Sequence, residues 1–227
     1  MSIPFTFEAC DAYGMRYDNT QADSAPGETF STKWGVTEES WAAALRMGIV
    51  DVPFAQATAD LARTIRRADY WNVLHCGSLA PGVAYMVYSA GLLSGTGYIA
   101  RTVQRIVGAS QDGVIGRNTL QLANQFGDKA LMDAIWAANA QHFAEIGKPQ
   151  FLHGWTVRND EDIAEAYQMA GISTPPPKSG PAPVGGFPNV PDDDAETDAL
   201  NDAEAQRITH PPTPEGGGSG ENQGTST

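Results

Sequence analysis

The chain has 227 residues and a formal net charge of −13, from 14 Lys and Arg against 27 Asp and Glu. That balance excludes a simple electrostatic nucleic-acid binder, which needs a basic stripe to displace counterions, and it argues against docking on an anionic membrane surface. No apolar run approaches the roughly 18–20 residues of a membrane span, so stable membrane insertion is not expected. The opening Met1-Ser2-Ile3-Pro4-Phe5 also lacks the basic and apolar regions of an ordinary signal peptide.

The charge is uneven. From Thr174 onward nine acids face only Lys178 and Arg207, a net −7, which leaves −6 on residues 1–173. Ten of the 15 prolines lie in that last segment, with Phe187 as its single aromatic residue. Such a stretch cannot bury enough apolar surface to offset its ordering entropy and is expected to be a disordered acidic tail. The folding unit is therefore about residues 1–173, the size of one domain. Two cysteines, Cys10 and Cys76, are too few for a disulfide scaffold or a Cys-based zinc site. They read as packed thiols, with one bridge left open for a protein that works outside the cytoplasm.

In chain order, residues 1–36 start apolar and turn loop-like, with turn chemistry at Asp18-Asn19-Thr20 and Asp23–Gly27. A small hairpin is expected around Thr29–Val36. Thr37-Glu38-Glu39-Ser40 reads as a helix start, a Thr cap followed by acids at the positive end of the dipole. Pro53 opens a second helix, in which Phe54, Ala57, Leu61, Ile65 and Ala68 recur at helical spacing. Pro81 suits the first position of a third helix, apolar nearly all round from Val83 to Leu93 and hence the central buried one. Gly91 and Gly95 are expected to admit a close neighbour. Further helices are expected over about 97–107, from Gly116 to Phe126, over about 128–146 and over about 160–170, with a turn at Gln111-Asp112-Gly113. The fold class is mainly α, with at most one small β-hairpin.

Composition and periodicity stop there; an ordered series of short motifs goes further. These are Gly27-Glu28-Thr29, Lys33-Trp34-Gly35-Val36-Thr37, Tyr70-Trp71 and Leu79-Ala80-Pro81-Gly82-Val83-Ala84, then Gln104 with Ile106 and Gly108, Asp112-Gly113-Val114-Ile115-Gly116, Thr119-Leu120, and Gly154-Trp155. Together they resemble the glycoside hydrolase 108 family of bacterial and phage lysozymes with its C-terminal peptidoglycan-binding half. The likeness spans about residues 5–160, and Asp112–Leu120 is its most specific piece.

The resemblance implies a lysozyme-like helical domain: residues 1–80 as the hydrolase half, 81–173 as the peptidoglycan-binding helical half of the same unit, and 174–227 as the tail. It implies cleavage of the β-1,4 glycosidic bond of peptidoglycan, by an acid that stays protonated beside the scissile oxygen. The partner is bacterial peptidoglycan, with other phage proteins as a further option, and a monomer is expected. No cofactor and no metal are implied. The expected setting is the host cytoplasm with access to the wall at lysis, or a virion.

The family's acid is the Glu of an E-G-G motif, which this chain lacks. The corresponding region, Tyr13–Thr20, has Asp18 as its only acid. Asp18 and Glu28 are the candidate catalytic residues, with Glu8 a third nearby carboxylate. Where the family pattern reads F-D-x-A-V-N-S-G, this chain has Ser89 for the Asp and Leu93 for the Asn. Thr29, Trp34, Thr37, Tyr88 and Ser89 are the candidate substrate-binding residues. An active hydrolase and an inactive lysozyme-fold module, cell-wall-binding or part of a phage particle, both stay open.

Each residue also has a plainer reading. Asp18 suits a solvated turn, Glu28 an exposed one, and Trp71 the core. The four histidines have no metal-ligand spacing. Asp112-Gly113 lacks the further acids of a calcium loop and reads as a turn.

Overall fold

The computed structural model describes residues 5–16 and 31–178. They fall within one folding unit, Met1–Phe187; a second unit, Pro188–Thr227, lies outside the described residues, as does most of the expected tail.

Helix α1 spans Phe7–Gly14, with the Thr6 hydroxyl accepting from the Ala9 N–H at 3.1 Å. Strands β1 (Thr32–Lys33) and β2 (Val36–Thr37) form the small antiparallel hairpin, with Lys33 opposite Val36. Helix α2, Glu38–Arg46, starts as its sequence announces: the Thr37 hydroxyl accepts from the Ser40 N–H at 3.1 Å, with Glu38 and Glu39 in the first turn.

The helix expected from Pro53 is divided. Pro53 is extended, Phe54–Gln56 forms a single 3-10 turn, and α3 runs only from Ala59 to Arg66. The start is displaced because Thr58 caps it, its hydroxyl accepting from Leu61 N–H at 3.3 Å. A π-helical turn, Arg67–Asn72, and a 3-10 turn, Cys76–Ser78, complete this half.

Helix α4, Pro81–Ser94, is the expected central helix, buried continuously from Gly82 to Gly91. Helices α5 (Thr96–Val107), α6 (Arg117–Phe126) and α7 (Asp128–Glu145) lie close to their expected bounds. The last helix does not. Helix α8 runs from Pro149 to Met169, starting eleven residues before the acids at 160–162. Those acids resemble a helix start by charge alone; Pro149 supplies the actual one, at the position where its missing N–H costs nothing.

The main core surrounds α4, against α1, α5, α7 and α8. Gly91 is a true close approach, since a Cβ there would stand 2.7 Å from Leu74 Cδ1. Gly95 is not; it has open space and a φ of 85°, so it serves the turn between α4 and α5. A close approach unmarked in the sequence occurs at Gly82, packed on the Ala166 carbonyl and the Met132 sulfur. A second, smaller cluster of Val36, Trp41, Ala44, Val50, Ala57, Ala62 and Ile65 lies beneath the hairpin. Trp71 is in the core as expected, and Cys10 and Cys76 are buried free thiols. Among the described residues no helix is long and apolar enough to cross a membrane.

Candidate functional site

Two buried aspartates flank α4, and neither was singled out by sequence motifs. Asp11, on α1, is 1% exposed. Arg66 holds it with two parallel bonds of 2.7 Å, Nε to Oδ1 and Nη2 to Oδ2. Arg63 Nε adds a bond of 3.2 Å to Oδ2, and the Tyr88 hydroxyl donates to Oδ1 at 2.6 Å. Burial pulls the Arg66 guanidinium pKa down, but the hydrogen bonds and charge of Asp11 outweigh it, and the net shift is upward.

Asp162, on α8, is the second. Its Oδ1 accepts from the Tyr85 hydroxyl at 2.7 Å and from Arg16 Nη1 at 3.0 Å, and its Oδ2 accepts from the Ser89 hydroxyl at 2.6 Å. Arg16 also pairs with Glu161 at 3.0 Å, and Arg158 Nη2 donates to the Gly14 carbonyl oxygen. The end of α1 is thus tied to α8 by charge-assisted bonds.

These contacts decide where the expected substrate residues lie. Tyr88 and Ser89 are 0% and 1% exposed, with both hydroxyls bonded to the two aspartates inside the fold. Thr37 is committed to capping α2. Trp34 is different: it is half-buried on the cluster beneath the hairpin. Asp18, Glu28 and Thr29 lie outside the described residues. Glu8 is exposed on the first turn of α1 and pairs with Arg67 at 3.3 Å.

Trp34 and Gly35 form the two-residue hairpin turn, with φ of 48° and 69°. Positive φ at both central positions is the type I′ signature, which favours Asn-Gly and strains a Trp. The Trp34 carbonyl accepts from Arg66 Nη1 at 2.6 Å. On the other side of the turn Lys33 Nζ donates to the Phe54 carbonyl at 3.2 Å. Arg66 therefore joins Asp11, Tyr88's partner, to the tip of the hairpin.

Two further carboxylates stand out by their surroundings. Asp69 lies on the π-helical turn, half-buried, with no cation paired to it among the described residues. Burial pushes its pKa up to about 6. Glu165, on α8, has one buried carboxylate oxygen without a hydrogen-bond partner among the described residues, and burial shifts its pKa upward too. Neither residue falls in a motif, and π-helical geometry leaves no signature in a sequence read by 3.6-residue periodicity.

The stretch Asp112–Leu120 resolves into a structural loop, Asp112–Gly116, followed by the first turn of α6. Gln104 on α5 donates to Asp112 Oδ1 at 2.5 Å and to the Val114 carbonyl at 2.9 Å, and its Oε1 accepts from the Gly113 N–H at 2.9 Å. Hydrogen bonds from the Val114 N–H and from Gln104 lower the Asp112 pKa. Among the described residues no group of three or more His, Cys, Asp or Glu is arranged to hold a metal ion.

Residues 13–95 match the Glycosyl hydrolase 108 family. No curated protein matches the chain. Among solved structures the chain is similar to Brucella abortus SagA, with a TM-score of 0.63 and 24% identity over 74% of this chain and 97% of that one. At that identity the likeness is one of fold. The family match begins near the end of α1 and closes at the end of α4, so it takes in the hairpin, the π-helical turn and the central helix.

Proposed function

We propose, from the glycosyl hydrolase 108 identity of residues 13–95, that this chain is a lysozyme-type hydrolase of the β-1,4 glycosidic bonds of bacterial peptidoglycan. The observation that carries the reading is that family match, laid over a helical fold with a hairpin anchored to its first helix through Arg66. The setting proposed with it is a phage-type enzyme that meets the wall at lysis or from a virion.

Glycosidic cleavage needs a carboxylic acid to protonate the leaving oxygen, and a second carboxylate or a positioned water for the oxocarbenium-like centre. Asp11 and Asp162 do not suit the first role, because their oxygens are taken by guanidinium and hydroxyl donors. Asp18 and Glu28 remain the proposed acids. Asp69 joins them, because burial pushes its pKa up to about 6, so it keeps a protonated fraction on the acid side of neutrality that an ordinary aspartate does not.

The test is clearing of purified peptidoglycan by the full chain beside Asp18→Asn, Glu28→Gln and Asp69→Asn. Clearing by the wild type that one substitution reduces at least about 100-fold identifies the donor. Clearing that survives all three removes these acids from the mechanism. A wild type that sediments with insoluble peptidoglycan but never clears it supports the second reading, an inactive wall-binding module. One observation favours that alternative: Ser89 and Leu93 stand where the family pattern has Asp and Asn, and Ser89 is turned inward to Asp162.

A further inference from the structure

The tip of the hairpin carries a residue that its backbone does not favour. A two-residue turn with positive φ at both central positions suits Asn-Gly, because Asn tolerates the left-handed region and a Trp side chain does not. Here the first position is Trp34, at φ 48°. The strain is held in place from two sides. Arg66 Nη1 bonds the Trp34 carbonyl at 2.6 Å, and Lys33 Nζ bonds the Phe54 carbonyl at 3.2 Å. Arg66 is itself 1% exposed and fixed by its two bonds of 2.7 Å to Asp11.

The indole gains only part of the usual benefit of burial. It packs on the small cluster around Val36 and Trp41 and is half-buried, with the rest of the ring open to solvent. Burial alone therefore does not account for a strained Trp at an accessible turn. A half-buried indole is suited to a ligand with one apolar and one polar side, which it meets with a flat face and little loss of side-chain freedom. A hexosamine ring, with C–H groups on its faces and hydroxyls at its rim, is such a ligand.

We propose that Trp34 is a stacking platform for a hexosamine ring of the glycan, and that Arg66, acting through the Trp34 carbonyl and anchored on Asp11, is its positioning residue. This rests on the glycan-directed reading above and adds the contact and the device that sets it. The coupling is specific to Arg. A Lys would keep a charge opposite Asp11, but it could not hold two carboxylate oxygens and a carbonyl in one plane.

The probe is the β-1,4-linked N-acetylglucosamine tetramer, titrated calorimetrically into the full chain, with thermal melts of every variant. Trp34→Asn is expected to bind about tenfold more weakly while melting at the same or a higher temperature, because Asn relieves the turn. Trp34→Phe is expected to stay within about threefold of wild type. Arg66→Lys is expected to weaken binding in the wild-type background and to add no further loss in the Trp34→Asn background, since both changes remove the same contact.

Three results overturn the proposal: tetramer binding by Trp34→Asn equal to wild type, an equal loss from Arg66→Lys in both backgrounds, or no binding by the wild type. Failure here is distinguishable from failure of the hydrolase reading. Peptidoglycan hydrolysis with an unchanged KM in Trp34→Asn removes the platform and leaves the enzyme. Tetramer binding without hydrolysis by the wild type does the reverse.

Discussion

Arg66 meets Asp11 inside the fold as a fork on a carboxylate, two N–H groups on two oxygens at 2.7 Å each, with both residues 1% exposed. The pair links α1 to α3, and its remaining donor reaches the hairpin. A buried pair adds little net stability relative to an apolar one, but removing one partner leaves an uncompensated charge. Asp11→Ala is expected to cost about 3–5 kcal/mol. That corresponds to a melting temperature lower by roughly 10 °C, read by calorimetry. A variant that melts with the wild type would show that the pair does not hold these elements together.

Asp69 sets a pH dependence. Its carboxyl titrates at about 6 in the folded chain, against an ordinary value of 3.8, because burial disfavours the charged form. The folded state thus binds this proton more tightly than the unfolded state. The contribution of Asp69 to stability falls as pH rises from about 4 to about 6, and above that it is a constant penalty. Asp69→Asn is expected to be more stable than wild type at pH 7 by about 1–2 kcal/mol, less than the full shift because the group is partly solvated. At pH 3.5 the gap should close. Urea melts at the two pH values check this, and a gap of the same size at both would contradict it.

Gln104 staples the turn after α5, with both ends of its amide in use. Gln104→Leu keeps the approximate shape of the side chain but removes its bonds to the Asp112 carboxylate, the Gly113 N–H and the Val114 carbonyl. We expect a loss of about 2–3 kcal/mol, with hydrogen-exchange protection at Gly113 falling before that of α5. Unchanged protection at Gly113 would refute the staple.

Cys10 and Cys76 are both 0% exposed and unbridged. Burial, with some help from Asp11, pushes the Cys10 thiol pKa up to about 12, and burial raises that of Cys76 as well. The native protein should give almost no fast reaction with a thiol reagent at pH 8, and two equivalents after denaturation without reductant. Rapid native modification, or no thiols in the denatured chain, would contradict this arrangement.

The course of the fold was legible where local chemistry and packing agree. Thr37 with two acids, Pro81 with an apolar run, and the helices over 117–126 and 128–145 all formed where their sequences put them. It was misread where two local signals compete. At Pro53 a proline and a threonine five residues later both offer a start, and the Thr58 side chain supplies the cap. At α8 the acids at 160–162 read as a helix start by charge, while the helix begins at Pro149.

The site was less legible, because motif reading favours residues near glycines and aromatics. Asp11 lies on the same face of α1 as Phe7, Cys10 and Gly14, and Asp162 on the buried face of α8 with Ile163 and Ala166. An acid on an apolar stripe is the signal of a buried pair, and it was available in the spacing. The partners were not: Arg66 is 55 residues from Asp11, and Ser89 is 73 from Asp162. Ser89 is a substrate-binding candidate by its place in the family pattern, yet in the structure its hydroxyl donates to the interior acid Asp162.

The most direct measurement is the chemistry of the soluble products. Purified peptidoglycan is digested with the full chain between pH 4 and 8, and the released fragments are reduced and identified by mass. Disaccharide-repeat fragments with new N-acetylhexosamine reducing ends are expected, formed fastest on the acid side of neutrality. Fragments released without new sugar reducing ends, or no release at any pH from protein that still binds the wall, would contradict the hydrolase reading.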